Sequence, residues 1–173
     1  SSLCHGDILS SNLDDVKIIL YNLYIVKIDP EVTMGQYDSA KKLIVETAQE
    51  LVAKGYLMAT GGNLSVRITG QDAFAITPSN YDYMKMTPED VCVLTLDLQP
   101  VEGRRKPSVE SGMHAAIYQV RGAVKAIVHP HQVYASALTL IKAPIPTLFD
   151  EQARFLGRSV DIIPYAPSGT GML

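Results

Sequence analysis

Cysteine is scarce in this chain of 173 residues, which contains only Cys4 and Cys92. The two lie far apart and without the close spacing of a cysteine metal site, so neither a disulfide framework nor such a site is predicted. Free thiols fit a reducing cytoplasm, where we expect the protein to be located.

Long apolar runs are also lacking. The most apolar early stretch, residues 16–28, is too short to cross a bilayer and is interrupted by two lysines and an asparagine. It has neither the basic start nor the small-residue cleavage site of a secretory signal. We therefore expect a soluble protein that does not engage a membrane.

Basic residues are not in excess, because 15 Lys and Arg face 18 Asp and Glu, for a net charge of −3. A nucleic-acid surface would show clustered basic residues, so nucleic acid is not an expected partner. The one tight basic cluster, residues 104–106, is interpreted as a solvated turn, with a phosphate or partner contact as the alternative.

The length fits one domain with a proper core. Residues 1–33 read as an N-terminal extension of undetermined status, and residues 34–173 as the domain. In the domain, helical and strand-like patterns interleave without repeats: a helix from Tyr37 that stops at Gly55, strands at 63–68, 73–77 and 91–97, a helix opened by Pro107-Ser108, a strand at 123–131, a helix at 132–141 and a last strand at 160–166. This pattern predicts an α/β protein with a mixed or mainly antiparallel sheet.

Two of the four histidines, His129 and His131, flank Pro130 at the end of an apolar strand. In a strand, residues two apart project from the same face, ~6.5–7 Å apart, so both imidazoles can reach one zinc ion. Pro130 supports a strand end, because proline cannot donate to a central ladder. The alternative is two partly exposed histidines in a loop.

A catalytic metal needs further groups, and the segment "PSVESGMHAAIY" offers Glu110 and His114. The pattern places Glu110 in the first helical turn and His114 four residues later, on the same face. Taken alone, Glu110 is equally consistent with a helix-start carboxylate, and His114 favours a core or interface residue.

Three uncharged, donor-rich loops suit a phosphate or sugar oxygen. The first, residues 60–63, contains Gly62 and Asn63, where the backbone can approach an anion closely. The second, "TPSN", contains Ser79 and Asn80, and Ser108 opens the third. The alternative for the glycine pair is an ordinary turn.

Taken together, "TGGNLSVR", "ITPSN", "PSVESGMH", "VHPH" and "YAPSGT" resemble the class II aldolase/adducin family in order and spacing, from about residue 37 to the last residue. The resemblance implies a three-layer α/β/α fold with a mainly antiparallel sheet. It also implies a homotetramer with active sites between subunits and one zinc ion per subunit. The catalytic members that the chain resembles are fuculose-phosphate aldolases and ribulose-phosphate 4-epimerases.

By this resemblance His129 and His131 are zinc ligands and Glu110 is the acid/base of a lyase. Zinc stabilises the enediolate that forms as the C–C bond of a sugar phosphate breaks. His114 falls near the site. The residues implied to line the substrate and phosphate pocket are Gly62, Asn63, Ser79, Asn80 and Ser108.

The chain departs from the family at three places. The family's third zinc histidine lies beyond the "GT" turn, so we expect residues 34–173 to lack the C-terminal part of the domain. Val109 and Asn80 replace a second phosphate-binding serine and a glycine. Asp150 stands where the aldolases have a proton-donating tyrosine, and an aspartate there can serve as a catalytic acid/base. A 4-epimerase, a decarboxylase or dehydratase on the same scaffold, and a metal-free adducin-like interaction module therefore remain the alternatives.

Overall fold

Five short strands form the sheet of the computed structural model, which describes residues 37–58, 60–167 and 170. The predicted extension, residues 1–33, lies outside these ranges. The strands run β1 Asn63–Arg67, β2 Ala73–Ile76, β3 Cys92–Thr95, β4 Pro100–Glu102 and β5 Ala126–His129. Their order is β4-β3-β2-β1-β5, and each neighbouring pair is antiparallel. The predicted α/β class and its antiparallel sheet are confirmed.

In the described part of the chain four helices accompany the sheet: α1 Asp38–Ala53, α2 Ser111–Val120, α3 Val133–Leu140 and α4 Asp150–Leu156. The chain leaves α1 through Gly55, whose φ of 75° suits glycine at a helix end, as predicted. Short 3-10 turns at Tyr83–Lys85 and Pro88–Asp90 connect β2 to β3. None of the described helices combines the length and apolarity needed to cross a bilayer.

Alternating side chains bury both faces of the sheet. Leu64, Ala75 and Val128 belong to an apolar cluster that includes Ile44 of α1. On the other face, Phe74 and Ile127 belong to a second cluster that includes residues of α2. Because successive strand residues point to opposite faces, one sheet separates two helical layers, as in the expected α/β/α arrangement.

Some element boundaries differ from the sequence prediction. Helix α2 begins at Ser111, so Glu110 is its N-cap residue and not part of its first turn. The prediction of a strand at 160–166 is wrong, because only a single bridge joins Val160 to Ile145. Strand β4, which is exposed and only three residues long, was not predicted.

One end of the sheet collects the residues of interest. His129 ends β5 directly opposite Asn63, which begins β1. Antiparallel pairing also brings the end of β2 beside the start of β1, and the amide of Leu64 donates to Thr77 Oγ1 over 3.2 Å. The segments around residues 62, 78, 108 and 130 therefore meet at this end.

Candidate metal centre and buried hydrogen-bond network

His129, His131 and Glu110 form a cluster in which one potential ligand atom of each lies within 4.8 Å of the others. His129 and Glu110 are buried, with His129 Nδ1 only 2.8 Å from Glu110 Oε2. The rings of His129 and His131 lie edge to face, with centroids 5.3 Å apart. The structure therefore brings together the two predicted ligands and the predicted acid/base.

The donor set of this cluster fits a divalent metal such as zinc. Two imidazoles and one carboxylate are common zinc ligands. Tetrahedral zinc separates its ligand atoms by about 3.3–3.6 Å, so loading requires side-chain movements on the order of an ångström. Partial burial, together with the nearby His129, lowers the pKa of the surface residue His131, which favours the neutral ring that binds metal.

Gly62 allows the loop before β1 to pass very close to His129. A Cβ at this position would lie 2.4 Å from the carbonyl oxygen of His129 and 2.7 Å from Leu57 Cδ2, and its φ is +83°. Only glycine avoids both the steric clash and the unfavourable backbone angle. Gly62 thus approaches the backbone of a candidate ligand, and its approach to an anion stays a prediction.

Tyr83 supports the same loop through a hydrogen bond to its backbone. Its hydroxyl donates to the carbonyl of Gly62 over 2.6 Å. Burial raises the pKa of Tyr83 to about 12, so its hydroxyl remains a donor at all ordinary pH values.

Asn63 links the cluster to the interior of the protein. Its Nδ2 donates to Glu110 Oε2 over 2.6 Å, and its Oδ1 lies 2.5 Å from His114 Nε2. The predicted pocket residue thus has a buried carboxylate and a buried imidazole as partners.

Behind Asn63, His114 Nδ1 lies 2.6 Å from Ser65 Oγ, which lies 2.8 Å from the hydroxyl of Tyr118. All three side chains are buried between β1 and α2. Burial, with His129 nearby, lowers the pKa of His114 to about 3, so the ring is neutral at physiological pH. His114 is both a core residue, as its pattern favoured, and a neighbour of the site.

The other predicted pocket loops are held against each other. The amide of Ser79 donates to the carbonyl of Lys106 over 2.9 Å, and the amide of Ser108 donates to the carbonyl of Thr77 over 3.1 Å. Asn80 is exposed, with a φ of 52°. Ser108 Oγ accepts from the amide of Glu110 over 3.2 Å and so helps to fix the carboxylate-bearing residue.

Asp150 stands apart from this arrangement. It is the first residue of α4 and is exposed. Among the described residues, no hydrogen bond or ion pair joins it to His129, His131 or Glu110. Its acid/base role stays a prediction.

Sequence reasoning did not identify Ser65 and Tyr118. The signal was nevertheless available, since Asn63 and Ser65 are two apart in a strand while Glu110, His114 and Tyr118 are four apart along a helix. Polar side chains at these spacings occupy one face of each element. A polar strand face opposite a polar helix face predicts a buried network.

Comparison with known proteins identifies the family of the chain. The family described as "Class II Aldolase and Adducin N-terminal domain" matches residues 42–173. The chain belongs to this family.

Two curated relatives and one solved structure give more detail. The 5-deoxy-D-ribulose 1-phosphate aldolase of Bacillus thuringiensis is 36% identical over 130 residues, which are 75% of this chain and 61% of that protein. The L-fuculose phosphate aldolase of Escherichia coli K12 is 35% identical over 127 residues, 73% of this chain and 58% of that protein. A solved L-fuculose 1-phosphate aldolase superposes with a TM-score of 0.74 at 35% identity, over 78% of this chain and 63% of that one. The chain thus spans about three fifths of the length of the curated relatives it matches.

Proposed function

We propose that the protein is a metal-dependent class II aldolase, an aldehyde-lyase that cleaves a small sugar phosphate such as fuculose 1-phosphate. The observation that carries the proposal is the cluster of Glu110, His129 and His131, of which the first two are buried and whose candidate ligand atoms lie within 4.8 Å of one another. Relatives named as sugar-phosphate aldolases, 35–36% identical, support the same chemistry.

His129 and His131 hold the metal in this proposal, one zinc ion per subunit. When bound, zinc acts as a Lewis acid that polarises the substrate carbonyl. Glu110 moves the proton: its carboxylate is buried beside the two imidazoles, where it can accept or return a proton at the reacting carbon.

The substrate phosphate binds, in this proposal, to neutral donors at the same end of the sheet. The loops that contain Gly62, Ser79 and Ser108 are joined there by hydrogen bonds from Leu64 to Thr77 and from Ser79 to Lys106. Backbone amides and hydroxyls in such loops suit an anion. Asn80, which is exposed and has a positive φ, belongs to the same set of donors in this proposal.

Self-association is part of the proposal, with a homotetramer as the expected state. The C-terminal part of the described chain exposes large apolar side chains, among them Tyr134 at 79%, Leu140 at 85% and Tyr165 at 83%. Such a surface is typical of a contact with another polypeptide. Light scattering coupled to gel filtration measures the assembly directly.

We also propose that the protein is located in the cytoplasm, in keeping with the free, buried thiol of Cys92.

Metal analysis tests the proposed centre. The purified protein should contain near-stoichiometric zinc that a chelator removes, and His129→Ala should lose both metal and activity. His5→Ala is the matched control, since it removes a histidine to which no role is assigned and should retain the metal. Retention of zinc by His129→Ala would place the metal elsewhere.

Turnover tests the proposed chemistry. Fuculose 1-phosphate and 5-deoxyribulose 1-phosphate should each be assayed for aldehyde release, with Glu110→Gln as the variant. Glu110→Gln should remove turnover because the amide cannot exchange a proton at the reacting carbon. Unchanged activity would exclude Glu110 from the mechanism.

A 4-epimerase is the second candidate, and the aspartate at position 150 favours it. Ribulose 5-phosphate would then give an epimer without aldehyde release. The third candidate, an adducin-like interaction module, predicts a purified protein with neither bound metal nor turnover.

A further inference from the structure

A single file of buried polar groups leads from the interior to the Glu110 carboxylate. In order, the side chains are Tyr118, Ser65, His114, Asn63 and Glu110, with successive contacts of 2.8, 2.6, 2.5 and 2.6 Å. All five are 9% exposed or less. Water therefore does not replace these contacts, and the orientation of each group depends on its neighbours.

The direction of the hydrogen bonds follows from the orientation of the Asn63 amide. Its Nδ2 faces Glu110 Oε2 and donates to it. The Asn63 carbonyl oxygen then faces His114 and needs a donor. His114 Nε2 must carry the proton.

The remaining hydrogen bonds follow in the same direction. In a neutral imidazole protonated at Nε2, Nδ1 is an acceptor, so the Ser65 hydroxyl donates to it. The Ser65 oxygen is then free to accept from the hydroxyl of Tyr118. Every donor in the file points toward the active-site carboxylate.

We propose that Asn63 is a positioning residue for Glu110, and that His114, held by Ser65 and Tyr118 as the neutral Nε2–H tautomer, fixes the Asn63 amide. The carboxylate of Glu110 can rotate about its side-chain bonds, and a fixed N–H donor at 2.6 Å holds it in one orientation beside His129. Groups that orient a ligand or base in this way commonly affect activity about 10- to 100-fold. The catalytic consequence rests on the proposed aldolase function; the tautomer does not.

Nitrogen-15 NMR of the wild-type full chain tests the tautomer without reference to activity. With histidine labelled at both ring nitrogens, His114 should show a protonated Nε2 and an unprotonated Nδ1 at neutral pH. His114→Gln identifies the resonance by its disappearance. A protonated Nδ1, or a ring protonated at both nitrogens, would overturn the proposal because the file would then run in the opposite direction or carry a charge.

A matched pair of variants tests the positioning role. His114→Gln keeps an N–H donor near the place of Nε2, whereas His114→Leu has similar bulk and no donor. We expect His114→Leu to lower kcat about 10- to 100-fold with little change in KM, and His114→Gln to recover most of that loss. Equal kcat values for the two variants, with equal thermal midpoints and zinc contents, would refute the positioning role.

The outcomes separate this inference from the proposed function. If the wild-type protein cleaves no sugar phosphate but shows the Nε2–H tautomer, the proposed aldolase function is refuted and the proposed direction of the hydrogen bonds is supported. If the protein is active but His114 is the other tautomer, the aldolase function is supported and the direction of the hydrogen bonds is refuted. If His114→Leu fails to fold, the wild-type spectrum still decides the direction of the file.

Discussion

Replacing Gly62 by alanine should damage both stability and the metal centre, because the added methyl group meets the backbone of a candidate ligand. The new Cβ would lie 2.4 Å from the carbonyl oxygen of His129, and a φ of +83° disfavours any side chain. Since Leu57 Cδ2 stands 2.7 Å away on another side, the methyl group has no free direction. The loop or His129 must move.

The magnitude follows from two separate contributions. Left-handed backbone in a residue other than glycine costs about 1–2 kcal/mol. Overpacking a methyl group into a filled site costs about 1–3 kcal/mol. We therefore expect Gly62→Ala to lower the free energy of unfolding by about 2–5 kcal/mol.

Gly70→Ala is the matched control, because Gly70 has a φ of +75° but nothing within 4 Å of its added Cβ. It should lose only the backbone contribution, about 1–2 kcal/mol, and bind zinc as the wild type does. Urea unfolding followed by far-ultraviolet circular dichroism gives both free energies, and metal titration gives zinc affinity. Equal destabilisation of the two variants, with equal zinc affinity, would refute the close-approach reasoning.

Two further predictions concern the Tyr83 hydroxyl and the ion pair between Arg105 and Asp90. Tyr83→Phe removes the buried donor to the Gly62 carbonyl and should lower the free energy of unfolding by about 1–2 kcal/mol in the same urea assay; no measurable loss would show that water replaces the hydroxyl. Arg105→Ala should lower the free energy of unfolding at neutral pH: partial burial acts to raise the pKa of Asp90, but hydrogen bonds from Thr87 and the Arg105 guanidinium outweigh it and lower that pKa. A carboxyl group whose pKa is lowered in the folded protein stabilises the fold at pH values above its ordinary pKa, and protonation in acid removes this stabilisation. The difference in the free energy of unfolding between wild type and variant should therefore shrink below about pH 4. A difference that does not change with pH would exclude the ion pair as its source.

Much of the fold could be predicted because apolar side chains recur along its strands in short, simple patterns. Residues 63–68 and 73–77 show a strand pattern around a glycine turn, and the hairpin formed as expected. Strand β4 could not be predicted in the same way, because its three residues are exposed and carry no apolar alternation. Burial, not pattern, distinguishes such an edge strand from a loop.

The candidate site was predicted by residue type and completed only by the tertiary structure. The close spacing of His129 and His131 is visible in the sequence, but their proximity to Glu110 depends on how α2 packs on the sheet. The same packing gives Asn63 its two partners, which no local pattern specifies. Boundary errors at Glu110 arose because helix caps and first turns share the same residue types.

The position of β5 as an edge strand of the sheet has a thermodynamic consequence. Among the described strands β5 pairs with β1 alone, and it ends at the histidine whose carbonyl Gly62 contacts. Fraying of this strand from its neighbour would move one imidazole away from the other groups of the cluster. A cation that binds only when all groups of the cluster lie together must oppose that fraying by linkage. Binding of the cation and pairing of β5 with β1 are therefore coupled in a single equilibrium.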